Sequence, residues 1–309
     1  MIIKLVVVTL GLVLFEVISS IDNAVINAQV LTTVSARAKR WFLTWGLFVS
    51  VFLVRGFLPL VIVYLANPSL GIVGAFTASF SSDPAVGQAI ETSKPILLAG
   101  GGLYLVLLFL HWILQENTRY AFKLEATLRK RYGLWFYALA SILLVGITWS
   151  SIQTSPLVAL GAVIGSSAFF ITSGFKTNAE AKEQEIASDK MGGSDISKLL
   201  YLELIDATFS IDGVLGAFAF TTAVPLILIG NGIGAIVVRQ ITIKGINVVR
   251  KLPYLTNGAM YSVACLGTIM LLESHHINVP FYITPLATVV VVSYFGWKSW
   301  REAFDGASR

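Results

Sequence analysis

The chain has 309 residues, of which 56% are hydrophobic and only 13% charged, with a mean hydropathy of +0.78. Soluble domains carry about a quarter charged residues, so this composition excludes an ordinary soluble enzyme or nucleic-acid-binding protein and fits a polytopic membrane protein. The net charge is +5, and a lone cysteine, Cys265, rules out an internal disulfide or a cysteine metal cluster.

Taken in order, the apolar runs predict about nine transmembrane helices, at 2–34, 41–66, 95–114, 134–153, 156–173, 199–223, 225–243, 258–273 and 283–299. The first residues resemble a signal peptide, but no small-x-small cleavage site follows and the apolar pattern runs on to Val34, so it reads as a retained span. The stretch Asn67 to Lys94 reads as a long loop rich in Gly and Ser, with room for a re-entrant segment. Lys176 to Lys198, where acids and bases mix, reads as a solvated loop. Gly230-x-Gly232-x-Gly234 lacks the dinucleotide-binding spacing; Gly161-x-x-x-Gly165 and Gly230-x-x-x-Gly234 read as close helix packing. With the amino terminus outside, every Lys and Arg except Lys4, Arg55 and Lys94 falls in an inner segment. The positive-inside rule then sets the carboxyl terminus in the cytoplasm.

Two of these apolar runs carry acids. Residues 15–28 read FEVISSIDNAVINA, and 202–221 read LELIDATFSIDGVLGAFAFT. Aligned on Asp22 and Asp212, both contain acid-x-x-x-Ser-x-Asp: Glu16, Ser20 and Asp22 in the first, Asp206, Ser210 and Asp212 in the second. Four acids at mid-span oppose insertion by about 10–14 kcal/mol, which a chain carries only where they face protein or a watery cavity and meet protons, cations or a basic partner. A buried hydrogen-bonded cluster that locks helices together is the bland alternative. By parity the first span runs inward and the sixth outward, so the motif helices are expected to be antiparallel, as in an inverted-topology repeat.

At 100° per residue, Glu16, Ser20, Asn23 and Asn27 share one stripe, as do Glu203, Asp206, Ser210, Gly213 and Ala217. Asp22 and Asp212 fall about 120° off those stripes. Either the helices unwind near Ser19-Ser20 and Phe209-Ser210, releasing backbone carbonyls, or the acids face neighbouring cavities. Ser, Asn and Gly at these points favour unwinding. The donors are oxygen throughout, which suits Mn²⁺, Mg²⁺ or Ca²⁺ rather than zinc or copper. His111, His275 and His276 lie away from the motifs, and solvated positions are the simpler account of them. Arg55, midway along the second run, is the expected internal counter-charge.

These motifs resemble the TerC family of integral membrane proteins, named for tellurium resistance. Glu16, Ser20, Asp22 and Asn23 match its first motif, Glu-x-x-x-Ser-x-Asp-Asn; Glu203, Asp206, Asp212, Phe218 and Thr221 match its second. Where that family has Ser-x-Pro after the last Asp, this chain has Gly213-Val214-Leu215, which is similar to a branch catalogued as a domain of unknown function. The resemblance implies manganese efflux or metal supply to exported proteins.

The expectation is therefore an all-α polytopic membrane protein with broken acidic motif helices in spans one and six. A single transmembrane domain, 1–309, divides into a first repeat (1–114), a helical hairpin (134–173), a second, inverted repeat (199–273) and a last span with a cytoplasmic tail (283–309). It is expected to export a hard divalent cation, manganese first, in exchange for protons, across a bacterial plasma (inner) membrane. The expected metal ligands are Glu16, Asp22, Asn23, Glu203, Asp206 and Asp212, supported by Ser20, Ser210, Asn27 and Arg55. Neither catalysis, a resident cofactor nor nucleic acid enters this expectation. An intramembrane aspartyl-type hydrolase and a non-transporting metalation or stress scaffold stand as alternatives.

Overall fold

A computed structural model describes residues 2–46, 48–49, 55–66, 71, 73–74, 84–116, 121–152, 155–187, 194–242 and 251–305. It is helical, with no strand among the described residues. In chain order the helices are α1 (Ile2–Ser19), α2 (Ile21–Val30), α3 (Ala36–Trp41) and α4 (Arg55–Ala66). Next come α5 (Pro84–Gln115), α6 (Lys123–Tyr132), α7 (Phe136–Ile152) and α8 (Pro156–Ala187). The last four are α9 (Asp195–Ala217), α10 (Val224–Gln240), α11 (Leu255–Ser274) and α12 (Ile283–Asp305).

Five stretches are long and apolar enough to cross a bilayer among the described residues: Ile2–Ser19, Lys94–Gln115, Lys123–Ile152, Pro156–Asn178 and Leu255–Ser274. The other predicted spans fall short for separate reasons. α10 has only 17 residues, and α9 carries Asp195, Lys198, Glu203, Asp206 and Asp212. α12 is diluted by Thr, Ser, Tyr and Trp and ends in Lys298, Arg301, Glu302 and Asp305, and the run at 41–66 lies partly outside the described residues. The loop expected from Asn67 to Lys94 is helical from Pro84 onward, and the solvated loop expected from Lys176 begins only after α8 has run on to Ala187. Residues 67–70 and 75–83 of the former lie outside the described residues.

The centre of the bundle is α5, whose Leu98, Ala99, Leu103, Tyr104, Leu105 and Leu107 are buried. Small residues let its neighbours close in. A β-carbon at Gly161 would stand 2.5 Å from the Ile96 carbonyl oxygen, and Gly165 is pressed onto Gly100, so the first Gly-x-x-x-Gly packs α8 on α5. The second packs α10 on α1, Gly230 against Leu12 and Gly234 against Glu16. At the periphery the apolar stretch 123–152 turns Leu134, Trp135, Ile142 and Trp149 outward. Apolar side chains exposed along so much of one helix suit contact with lipid.

Contact ladders give the relative directions. Phe15 meets Gly216, Glu16 meets Gly213, and Ser35 meets Asp195, so the chain from α1 to α3 runs antiparallel to α9. Between α1 and α10 the pairs rise together, as they do between α5 and α8, so those helices are parallel. The antiparallel motif segments agree with the sequence parity.

The expected break of the first motif helix is present only as an interruption at Ser20, between α1 and α2, and the expected break of the second is corrected. In the first motif only Ser20 interrupts the helix. The ladder spans it, with Ser20 N–H donating to Glu16 O (3.1 Å) and Ala24 N–H to Ser20 O (3.0 Å), so neither carbonyl is released. In the second motif α9 is continuous through Phe209 and Ser210. The Ser210 hydroxyl folds back onto the Asp206 carbonyl at 2.6 Å, an in-helix arrangement that uses the hydroxyl without opening the backbone.

Candidate functional site

Glu16 lies near the end of α1, 1% exposed. One turn on, Ser20 donates its hydroxyl to Glu16 Oε1 at 3.0 Å. Two glycines make room for the acid. A β-carbon at Gly213 would stand 3.0 Å from Glu16 Oε2, and one at Gly234 would stand 2.6 Å from Glu16 Cβ and Cγ. The carboxyl group thus sits where α1, α9 and α10 meet. Gly213 holds the place where the resembling pattern has a serine; here the missing side chain leaves the space that Glu16 fills.

Below Gly213, toward the start of α9, the same stripe carries Ser210, Asp206 and Glu203, all buried. Glu203 Oε1 lies 3.7 Å from Arg239 Nη2 at the end of α10. The Arg239 guanidinium in turn lies 3.9 Å above the Phe42 ring, so this buried cation has both a carboxylate and a π face. Gly46 gives way to Glu203 as Gly213 does to Glu16.

Asp212 points elsewhere. Its Oδ2 is paired with Lys176 of α8, and its Oδ1 accepts from the Tyr104 hydroxyl of α5 at 2.6 Å. Thr172 lies 2.9 Å from the same hydroxyl. The angular offset predicted for Asp212 is therefore realised on an intact helix, which carries the acid to a second face rather than to Glu16. A small cavity of about 60 Å³ touches Tyr104, Thr172 and Lys176 and reaches His111 and Glu116.

Two amides join the buried set. Asn27 of α2 is 6% exposed, and its Oδ1 meets no donor among the described residues. Asn231 of α10 is fully buried, and neither of its side-chain polar atoms meets a partner among the described residues. Buried polar atoms are nearly always satisfied, so such exceptions point to a water or an ion. At the start of α9, Asp195 Oδ2 accepts from the Ser35 N–H at 3.2 Å, and Ser35, through its side chain and then its backbone, holds that carboxyl below its ordinary value.

Among the described residues no three His, Cys, Asp or Glu side chains converge in a way that could hold a metal. The side chains of Asp22, Asn23 and Arg55 lie outside the described residues. The counter-charges seen are Lys176 and Arg239, which the sequence reading assigned to inner segments. The spacing of Thr172 and Lys176, one turn apart in an unbroken helical run, was the signal for the first. Arg239, closing a 17-residue apolar helix, was the signal for the second. Tyr104 and Asn231 carried no signal beyond being polar groups in apolar runs.

Residues 21–303 match the family described as Protein of unknown function (DUF475). Over 96 residues the chain is 29% identical to the uncharacterized membrane protein YceF of Bacillus subtilis (strain 168). That similarity covers 30% of this chain and 37% of the relative, so the chain spans little more than a third of that protein's length. No solved structure matches the chain. With several apolar helices of spanning length, it is a multi-pass membrane protein.

Proposed function

We propose that this chain, which belongs to the DUF475 family, carries a hard divalent cation across the membrane along the buried interface of α1 and α2 with α9 and α10. The observation that carries this reading is the row of buried oxygen donors along that interface, with Arg239 as the counter-charge at its α10 end. Glu16, Asp206 and Glu203 are buried on facing stripes, and Asn27 adds an acceptor oxygen that no donor among the described residues meets. Asp22 and Asn23 belong to the same motif and complete the proposed ligand set with Ser20. Carboxylate and amide oxygens favour Mn²⁺, Mg²⁺ or Ca²⁺, and the resemblance of both motifs to the TerC family favours Mn²⁺ among them.

Lys176 and Arg239 join Arg55 as proposed internal counter-charges. They neutralise Asp212 and Glu203 while the path holds no cargo, since unpaired charges at such depth are costly. Asp212 is accordingly read as a switch for the cargo path, its carboxylate exchanging Lys176 for the cation. Rocking of the first repeat (1–114) against the second (199–273) about this interface would give alternating access, with export, proton counter-flow and a cytoplasmic carboxyl terminus in a bacterial plasma membrane completing the proposal. An aspartyl hydrolase needs two carboxyls sharing a proton and a water. The grip of Lys176 and Tyr104 on Asp212 counts against that use of it.

Uptake of Mn²⁺, Mg²⁺, Ca²⁺ and Zn²⁺ into inside-out vesicles tests the reading. Flux of Mn²⁺ above empty vesicles, abolished by Glu16→Gln with the protein still folded, is expected. Wild-type vesicles no faster than empty ones for every cation would overturn it.

A further inference from the structure

At the end of the bundle where α1 begins, a cavity of about 560 Å³ opens among α1, α5, α11, α12 and the α9–α10 turn. Its polar wall holds Lys4, Lys94, Glu273 and Thr222, while Val8 and Phe281 stand on the apolar side. The Lys4 ammonium lies 5.4 Å from the Phe281 ring centroid, over the face of the ring.

The two lysines are unusual in the chain. Apart from Arg55 they are the Lys and Arg that the charge asymmetry leaves on this side of the membrane, and the fold brings both to one cavity. Each sits at the end of a spanning stretch: Lys94 begins Lys94–Gln115, and Lys4 lies one turn into Ile2–Ser19. Glu273, one residue before the end of Leu255–Ser274, offsets one of the two charges, so the wall keeps a net charge of about +1. A net positive wall is ill suited to the exit of a free divalent cation. It suits an anion, and the adjoining apolar wall at bilayer depth suits an anion with an acyl chain attached.

We infer that this cavity binds the phosphate headgroup of an anionic phospholipid, with Lys4 and Lys94 on the phosphate and the apolar wall against the glycerol and first methylenes. The site is separate from the cation path proposed above and does not depend on it.

Native mass spectrometry of the full chain with added phosphatidylglycerol or phosphatidylcholine tests this. About fivefold preference per lysine gives about thirtyfold preference for phosphatidylglycerol in the wild type. It should fall to near unity in Lys4→Gln/Lys94→Gln and persist in Lys4→Arg/Lys94→Arg. Equal retention of the two lipids by the wild type, or an unchanged preference in the glutamine variant, would overturn the inference. Glycerol phosphate competing as well as the lipid would also overturn it, by assigning the lysines to a soluble anion. If the glutamine variant fails to fold, the wild-type preference and its competition by glycerol phosphate decide the matter alone.

Discussion

Two sets of carboxylates, buried or largely so, are held in opposite ways. Glu125, at the first turn of α6, accepts from the backbone N–H of Ala121 (2.6 Å) and of Phe122 (3.3 Å), from Asn257 Nδ2 (3.4 Å) and from the Tyr261 hydroxyl (2.9 Å). Those hydrogen-bond donors are neutral, and two belong to the acid's own helix entry, where a carboxylate also meets the favourable end of the helix dipole. Asp212 and Glu203 are held instead by Lys176 and Arg239, long side chains from other helices. A capping carboxylate cannot be released without unwinding a turn. An ion pair between two helices can exchange one cation for another while both helices stay folded. Glu125 therefore reads as a fastening of α6 to α11, and the α9 acids as groups whose partner is meant to change.

The largest expected effect lies on the α9 side. Lys176→Met leaves the Asp212 carboxylate, about an eighth exposed, with Tyr104 as its partner among the described residues. Losing one partner of a fully buried pair costs about 3–5 kcal/mol, and this largely buried pair should lose about 2–3 kcal/mol. The double variant Lys176→Met/Asp212→Asn should recover most of that loss, because the stranded charge is gone. Chemical denaturation in detergent micelles measures both, and strictly additive losses would break the pairing. Next in size, Glu125→Gln removes charge-assisted acceptance at the α6 cap and should cost about 1–3 kcal/mol. Unlike Glu16→Gln it should leave Mn²⁺ flux per folded molecule unchanged. A fall in flux matching that of Glu16→Gln would erase the distinction between the two sets.

Much of this difference was open to sequence reasoning and part of it was not. The acid-x-x-x-Ser-x-Asp echo located Glu16 and Asp206, and Lys/Arg parity gave the antiparallel run of the two motifs, because helix period and charge asymmetry are local properties. The 120° offset of Asp212 was equally legible, but weighing Ser and Gly as helix breakers chose the wrong outcome: the serines bond within their own helix, and Gly213 serves as space for Glu16. The internal cations were missed because both were counted as cytoplasmic charges at the inner ends of their runs, Lys176 just past the run ended at 173 and Arg239 four residues before the end of the run 225–243. Lys176 and Arg239 lie near the ends of those runs, and only a three-dimensional neighbour tells whether such a side chain turns to water or folds inward. Glu125 carried the same difficulty in reverse: in the charged run KLEATLRKRY it reads as a solvated acid, and only the approach of α11 makes it buried.

A smaller substitution sharpens the comparison at Glu16. Gly213→Ala places a methyl 3.0 Å from Glu16 Oε2, tight enough to displace the carboxylate by a few tenths of an ångström. Overpacking on this scale costs about 1 kcal/mol of stability. If Glu16 is a cargo ligand, Mn²⁺ affinity should fall by roughly tenfold, well beyond what so small a loss of stability removes by unfolding. Isothermal titration on the purified variant, alongside its denaturation curve, separates the two quantities. Unchanged affinity with reduced stability would move Glu16 to the fastening class of Glu125.

The smallest effect belongs to Asp195, an exposed acid that joins the first helix turn of α9 to Ser35 and so fixes the approach of the two motif segments at one end. Its carboxyl is held below its ordinary value by Ser35, so the folded chain binds that proton less readily than the unfolded chain. The contribution to stability is therefore complete above the unfolded carboxyl value of about 3.9 and is lost as pH falls through the lower, folded value. Asp195→Asn should leave the pH dependence of stability unaltered above about pH 5 and flatten it slightly below about pH 4, where the wild type loses this contact and the variant has none to lose. Thermal denaturation of the two proteins in one detergent, stepped from pH 6 to pH 3, measures the difference. A gap between the curves that widens as pH falls would reverse the sign and detach Asp195 from Ser35. A narrowing gap keeps the antiparallel register of the motifs anchored there, at a position far enough from Glu16 that Mn²⁺ affinity at pH 7 should not change.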